Sequence, residues 1–308
     1  MRGRAATGTR CSPGVSAATE PALSLVTFGE PIDIGASLEL FRRSGDDCID
    51  RWDGTRLVRV LRFGSKRVPF VGTIDGSALR VSPATPEVMG AATQTFFPAP
   101  PGFVELLARD PVLAALHERF PGVRQPRQLD LFTALVRCIS AQQVNLRWAV
   151  TTRRRLAECF GVRHEIDGQW IYTLEPERLA GVAPERIRAL QFTTSKAHSI
   201  VAVAQAMVDG RVTLDELAVL PDDEVIARLM TIRGIGRWSA EWILARTLGR
   251  PCVVAGDLGV RKAVGLAYLG TPLPGESLVR EATGHWAESA GVAQALLLHA
   301  LGEGGLAR

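Results

Sequence analysis

The four residues RGIG, at 233–236, lie between the apolar-periodic segment EVIARLMTI and a second one, RWSAEWILARTLG. A link this short makes two helices fold back on each other as an antiparallel hairpin. Gly234 and Gly236 take side chains out of the turn, so its backbone N–H groups approach a neighbouring group closely. At a helix N-terminus such N–H groups, together with the helix dipole, attract an anion, and phosphate is the usual one. A hairpin of this kind, here 222–249, grips one nucleic-acid strand through its backbone without reading sequence. G-x-G turns also join helices that bind nothing.

The rest of the chain divides around that hairpin. Residues 1–26 carry neither an apolar signal-peptide core nor any periodicity, and are expected to be a disordered tail. From 27 to 100, short alternating runs (RLVRVLRF, VPFVGTI, ALRVS) and one helical segment, SLELFRRS, predict a small α+β domain. A proline-rich stretch containing Pro83, Pro86, Pro98, Pro100 and Pro101 closes it. From 101 to 308 strand signals all but vanish, and the pattern predicts consecutive helices. Between DLFTALVRCIS and LRWAVTTRRRLAECFG lies AQQVN, where Asn145 is a fitting N-cap and Gln142 and Gln143 occupy the turn. Asp222 or Asp223 is expected to cap the first hairpin helix.

Composition narrows the class. With 308 residues, 46% apolar and 22% charged, the chain reads as globular with a large core. No apolar run approaches the roughly 18 residues of a membrane span, so no membrane partner is expected. The five cysteines are scattered and unpaired by any C-x-x-C spacing, which suggests reduced thiols in the cytoplasm and no zinc or iron–sulfur site. The net charge of +4 is a weak pointer to nucleic acid, but the basic residues cluster. Arg137, Arg147, Arg153, Arg154 and Arg155 lie in an acid-free run, and Arg51–Arg67 holds six basic residues against Asp53 alone. Each cluster suits a solvated face as well as a polyanion.

Beyond the hairpin, the loop RPCVVAG leads to DLGVRKAV, where Asp257 opens a further helix. An aspartate there is by default an N-cap, worth about 1 kcal/mol. Taken together, however, LMTIRGIGRWSAEWILARTLGRPCVVAGDLGVRKAV resembles the helix-hairpin-helix (HhH-GPD) signature of the base-excision DNA glycosylase superfamily. Within it the chain is similar to the 3-methyladenine DNA glycosylase II family, from about Thr27 to Leu301. The resemblance implies a mainly α fold of two helical subdomains behind a small N-terminal α+β domain. It also implies a monomer acting on double-stranded DNA that contains alkylated bases, in the cytoplasm and associated with the bacterial nucleoid.

Residue by residue, the resemblance makes Asp257 the catalytic carboxylate. Breaking an N-glycosidic bond builds positive charge at C1′ of the sugar, and a carboxylate held close stabilises it. Trp238 and Trp242, four apart on one helix face, correspond to base-pocket aromatics, where indole faces attract an electron-deficient purine. Gln142 matches a residue near the lesion, and Gln143 the wedge that fills the gap left by the flipped nucleotide. Gly234, Ile235, Gly236, Arg237 and Lys262 are the expected backbone contacts. The carbonyls of Met230, Ile232 and Ile235 correspond to ligands of a structural Na+ or K+; no cofactor for catalysis is implied. Bifunctional relatives carry a nucleophilic lysine where this chain has Trp238, so monofunctional chemistry is expected. Departures are the polar Gln143 where leucine is frequent, Arg233 in place of a proline, and the absence of a Trp-x-Pro-x-Arg-like run near the C-terminus. Trp286 is the candidate for the pocket wall which that run would supply. The alternative is a catalytically silent, damage-sensing DNA-binding protein, in which Asp257 is only a cap.

Overall fold

In the computed structural model, which describes residues 24–64 and 66–306, an N-terminal sheet backs onto two helical subdomains. Strands β1 (Ser24–Val26), β2 (Arg51–Trp52), β3 (Arg56–Phe63), β4 (Lys66–Asp75) and β5 (Ala78–Ser82) form an antiparallel sheet ordered β1-β5-β4-β3-β2. Alternation in β3–β5 buries Leu57, Phe70, Leu79 and Val81 on one face. Helices α1 (Ile34–Leu38) and α2 (Pro86–Thr93) cover that face with Leu38 and Val88. Residues 1–23 of the expected tail lie outside the described residues. Ser24–Val26 are not tail: they pair with Leu79–Val81, and Val26 enters the core at 2% exposure.

The helices are α3 (Phe103–Arg109), α4 (Pro111–Arg119), α5 (Leu131–Ala141), α6 (Leu146–Phe160), α7 (Pro176–Leu179), α8 (Pro184–Arg188), α9 (Thr194–Val208), α10 (Leu214–Val219), α11 (Asp222–Met230), α12 (Arg237–Ile243), α13 (Leu258–Val264), α14 (Glu276–Thr283) and α15 (Ala290–Gly302). They bury two separate cores. The first gathers α5 to α12 around Phe132, Leu135, Ile139, Ile200 and Ile243. The second joins α3 and α4 to α13–α15 around Leu113, Val264, Val279 and Leu296. The chain thus leaves the second subdomain after α4, builds the first, and returns through the loop 250–256.

One element contradicts the purely helical expectation for this region. Strands β6 (Val162–Ile166) and β7 (Gln169–Thr173) form a hairpin between α6 and α7. Its turn places Asp167 at φ 49° and Gly168 at φ 68°, the left-handed pair that an Asp-Gly dipeptide supplies most readily. The hairpin packs Ile171 against Val58 and Val71, joining the N-terminal sheet to the helices. Among the described residues no helix is long and apolar enough to cross a membrane.

Candidate active site

The turn between α11 and α12 is built from opposed surfaces. Ile232 and Ile235, at 3% and 4% exposure, anchor it in the first core, while Arg233, Gly234 and Gly236 are exposed. The Ile232 carbonyl accepts the Ile235 N–H at 3.1 Å, and Met230 is exposed at the end of α11. Helix α11 starts at Asp222 behind Pro221 without a side-chain cap, so neither Asp222 nor Asp223 caps it; both lie in its first turn, where the helix dipole favours them.

The two glycines do different work. Gly234 has φ +83°, and a Cβ there would fall 1.9 Å from Ser199 Oγ of α9, so the turn is pressed against that helix. A Cβ on Gly236 would meet nothing within 4 Å. Gly236 is the N-cap of α12 and supplies no side-chain acceptor, which leaves the first-turn N–H groups of that helix open to an external one.

The two carboxylate oxygens of Asp257 have different partners. Its Oδ1 accepts from Gly259 N at 2.8 Å and Val260 N at 3.1 Å, capping α13, while its Oδ2 accepts from Trp238 Nε1 at 3.3 Å. The carboxylate, half-buried, therefore faces the start of α12 in a fixed orientation. Trp238 and Trp242 are both half-buried on α12, packed against the first core. Helix α12 continues as a π-helical turn over Leu244–Leu248, a form found often at functional sites. That turn carries Arg246, whose guanidinium lies 5.7 Å from the Trp242 ring centroid.

Side chains that sequence reasoning missed fix the geometry. Glu241, at 2% exposure, accepts from Arg237 Nε at 2.9 Å and Arg280 Nη2 at 2.8 Å, tying α12 to α14. Gln294 of α15 accepts Val254 N at 2.9 Å and holds the crossing loop. Both are buried polar groups inside helices, and nothing in a single sequence separates them from solvated ones. Thiols near the site are inert as nucleophiles: burial pushes Cys252 up to about 12 and Cys138 higher still.

The turn between α5 and α6 meets the hairpin directly. Asn145 caps α6 by accepting Trp148 N at 2.8 Å, as expected. Gln142 donates through Nε2 to the Gly234 carbonyl at 3.0 Å and to Ser239 Oγ at 3.4 Å. Gln143 is exposed with φ +52°, a left-handed backbone that a non-glycine residue rarely adopts. Behind it, Lys196 and Arg153 donate to the carbonyl and hydroxyl of Ser140, each at 2.9 Å. The fold thus brings Gln142, Trp238 and Asp257 to one place.

Two expectations fail. Trp286 is not a pocket wall: at 1% exposure it lies in the second core, beside Tyr268 and His285, with no ring face to offer. Nor are the basic clusters simply a surface. Arg137 and Arg153 are internal and clasp Asp47 at 2.8 and 2.9 Å, Arg137 and Arg59 hold Asp50 at 3.0 and 2.7 Å, and Arg67 pairs with Glu175. Burial pushes the Asp47 carboxyl up, but Arg137 and Arg153 outweigh it and hold the group below its ordinary value. The guanidinium charge is spent where the N-terminal domain meets α5 and α6. Arg147 and Arg154 remain exposed, as does Lys262 on α13.

Residues 136–288, which span the α5–α6 turn, the hairpin and Asp257, match the model of the HhH-GPD superfamily of base excision DNA repair proteins. The chain is a member of that superfamily. Similar relatives include the DNA-3-methyladenine glycosylase of Bacillus subtilis, 31% identical over 150 residues, covering 48% of this chain and 50% of the relative. DNA-3-methyladenine glycosylase 2 of Escherichia coli is 30% identical over 128 residues, 41% of this chain and 44% of its own. The chain spans about half the length of the curated relatives it matches. In fold it is similar to the 3-methyladenine DNA-glycosylase from Archaeoglobus fulgidus, with a TM-score of 0.80 over 90% of this chain and 98% of that one, at 21% identity.

Proposed function

We propose that this HhH-GPD protein is a monofunctional DNA glycosylase that removes alkylated bases such as 3-methyladenine from duplex DNA, leaving an abasic site for base excision repair. The observation that carries the reading is the double engagement of Asp257. One oxygen is immobilised on the N-terminus of α13, and the other faces the hairpin helix with Trp238 Nε1 as its partner. A carboxylate held so needs no reorganisation to meet positive charge developing at C1′ of an extruded nucleotide. The base stacks on Trp238 and Trp242, water adds to C1′ and releases a proton to solvent, and the electron pair of the N-glycosidic bond departs with the base, which leaves neutral when it was cationic before cleavage.

Around that step the remaining residues bind DNA. The open N–H groups of Gly234 and Gly236, with Arg237 and Lys262, hold backbone phosphates, while the Ile235 N–H is taken by the Ile232 carbonyl. Gln143, raised on its left-handed backbone, enters the stack where the nucleotide left, and Gln142 braces the hairpin turn beneath it. The neutral carbonyls of Met230, Ile232 and Ile235 suit a weakly held monovalent cation, which would offset phosphate charge at the turn. With Trp238 at the position of the nucleophilic lysine, the protein acts by hydrolysis alone, as a cytoplasmic monomer. The test is a set of duplexes, each carrying one defined lesion. Release of free 3-methyladenine, with strands that break only in alkali, is the expected result. Tight binding to the same duplexes with no base released would instead establish the silent, damage-sensing reading.

A further inference from the structure

Helix α5 ends without a glycine. Its C-cap is Gln142, whose N–H reaches the Ile139 carbonyl only at 3.4 Å. The next position, where a left-handed glycine closes many helices, is Gln143 at φ +52°. A side-chain-bearing residue in that conformation is strained, and it persists only where its surroundings hold it. Two anchors flank this one. Gln142 is tied to the hairpin through Gly234 and Ser239, and Lys196 of α9, at 8% exposure, donates from Nζ to the Ser140 carbonyl at 2.9 Å. Arg153 donates to the hydroxyl of the same serine, and its charge is answered by Asp47. Lys196 has no such partner: among the described residues no carboxylate pairs with it, and burial holds its pKa below the ordinary lysine value. What offsets the cost of burying it is the negative end of α5, whose last carbonyls the ammonium meets.

One turn further along the same face of α9, buried Ser199 is pressed against Gly234 of the hairpin turn. A single helix thus supports both the turn that carries Gln143 and the turn that grips the backbone. We infer that Lys196 is a positioning residue for the wedge: by capping α5 from α9 it fixes the left-handed backbone on which Gln143 enters the stack. This rests on the glycosylase reading above, and Lys196 acts in it through Gln143 without touching the nucleotide. Without the ammonium the Ser140 carbonyl loses its partner and the end of α5 loosens. Gln143 then relaxes to an ordinary negative φ, and its side chain no longer aims at the gap. The hairpin keeps its contacts with the backbone, so DNA is still held. What is lost is the filling of the space that the extruded nucleotide leaves, and with it the extruded state.

The test is a double-mutant cycle between Lys196→Met and Gln143→Gly, with Lys196→Arg as the variant that keeps the charge. Two quantities are read on the full chain: single-turnover release of 3-methyladenine, and the fluorescence of 2-aminopurine placed beside a tetrahydrofuran abasic analogue, which reports entry of the wedge without any chemistry. Lys196→Met should lower both by about tenfold, the scale of one lost hydrogen bond to a charged group, and Lys196→Arg should recover most of the loss. Binding to undamaged duplex at matched salt should stay within about twofold of native, because the hairpin is intact. In the Gln143→Gly background, where the backbone needs no holding and there is no wedge to aim, Lys196→Met should change neither quantity further. Equal losses in both backgrounds, or a loss that appears alike in undamaged binding, would make Lys196 merely structural and overturn the inference while leaving the glycosylase reading intact. A native protein that releases no base would overturn that reading instead, and the fluorescence cycle on the abasic duplex would still decide the role of Lys196. If Lys196→Met does not fold, Lys196→Gln takes its place in the cycle under the same criteria.

Discussion

Replacing Asp257 separates the two things its carboxylate does. In Asp257→Asn the amide oxygen still accepts from Gly259 and Val260, so the cap on α13 survives and stability changes by a few tenths of a kcal/mol, roughly. The charge is gone, and the amide nitrogen then points a donor at the donor Trp238 Nε1. Loss of one well-placed electrostatic stabiliser lowers the excision rate by about a hundred- to a thousandfold, about 2.7 to 4 kcal/mol. In Asp257→Ala the cap is lost as well, at about 1 kcal/mol, for a fall in melting temperature of about 2 to 4 °C. The two variants should therefore be equally slow and unequally stable. Single-turnover release of 3-methyladenine and thermal unfolding of each variant measure the two quantities independently. Release by Asp257→Asn within about threefold of the native rate would remove Asp257 from catalysis. A rate loss that tracked melting temperature across the pair would reduce the residue to its cap.

Gly236→Ala should melt with the native protein and weaken binding to damaged and undamaged duplex by similar factors at matched salt, because its Cβ enters open space where a phosphate would sit. Gly234→Ala should instead destabilise the fold through its clash with Ser199, and Ser199→Gly in the same chain should restore part of the loss in a thermal melt. If Trp238 stands in the lysine position, as the resemblance implies, borohydride should trap no covalent adduct with lesion-bearing DNA; a trapped adduct would direct attention to Lys262. Asp47, whose folded pKa lies below its ordinary 3.8, contributes stability that is complete above that value and is lost as pH falls through the lower folded one. Asp47→Asn should cost about 3 to 5 kcal/mol at neutral pH and flatten the acid limb of a denaturant-stability profile, because Arg137 and Arg153 lose their shared partner.

Local signals carried most of what the sequence revealed. The hairpin, the Asn145 cap, the strands from Arg56 to Ser82 and the helix opening at Asp257 are each set by spacing, turn residues or caps within one turn of chain, and each stands where the pattern put it. The β6–β7 hairpin was equally legible in its Asp-Gly turn, but a short strand pair among helices is outweighed by the periodicity on either side. What could not be read was the destination of charge and aromatic rings. Arg137 and Arg147 belong to one basic run, yet one is locked to Asp47 and Asp50 and the other is exposed. Trp238 faces Asp257, while Trp286 is enclosed in the second core. Those outcomes depend on partners ninety or more residues distant in some cases, and a one-dimensional pattern holds no trace of them.

In the proposed reaction the cap and the catalyst are one residue, and the reason is mechanical. A carboxylate on a loop would sample many orientations, and each reaction would bear the cost of selecting the useful one. Two backbone N–H groups of α13 remove that freedom from Asp257, and the second core fixes α13 through Val260, Ala263 and Val264. The opposing wall, Trp238, belongs to the other subdomain, so its distance from Asp257 depends on how the two subdomains sit. That spacing is held by Glu241 between Arg237 and Arg280 and by Gln294 of α15, which accepts the Val254 N–H of the crossing loop; none of these touches Asp257. Arg280 in particular has no reason to matter for chemistry except through this linkage. Loss of its side chain should lower excision by loosening the Trp238–Asp257 pair while α13 stays capped, an effect that the capping residue itself can never show in isolation.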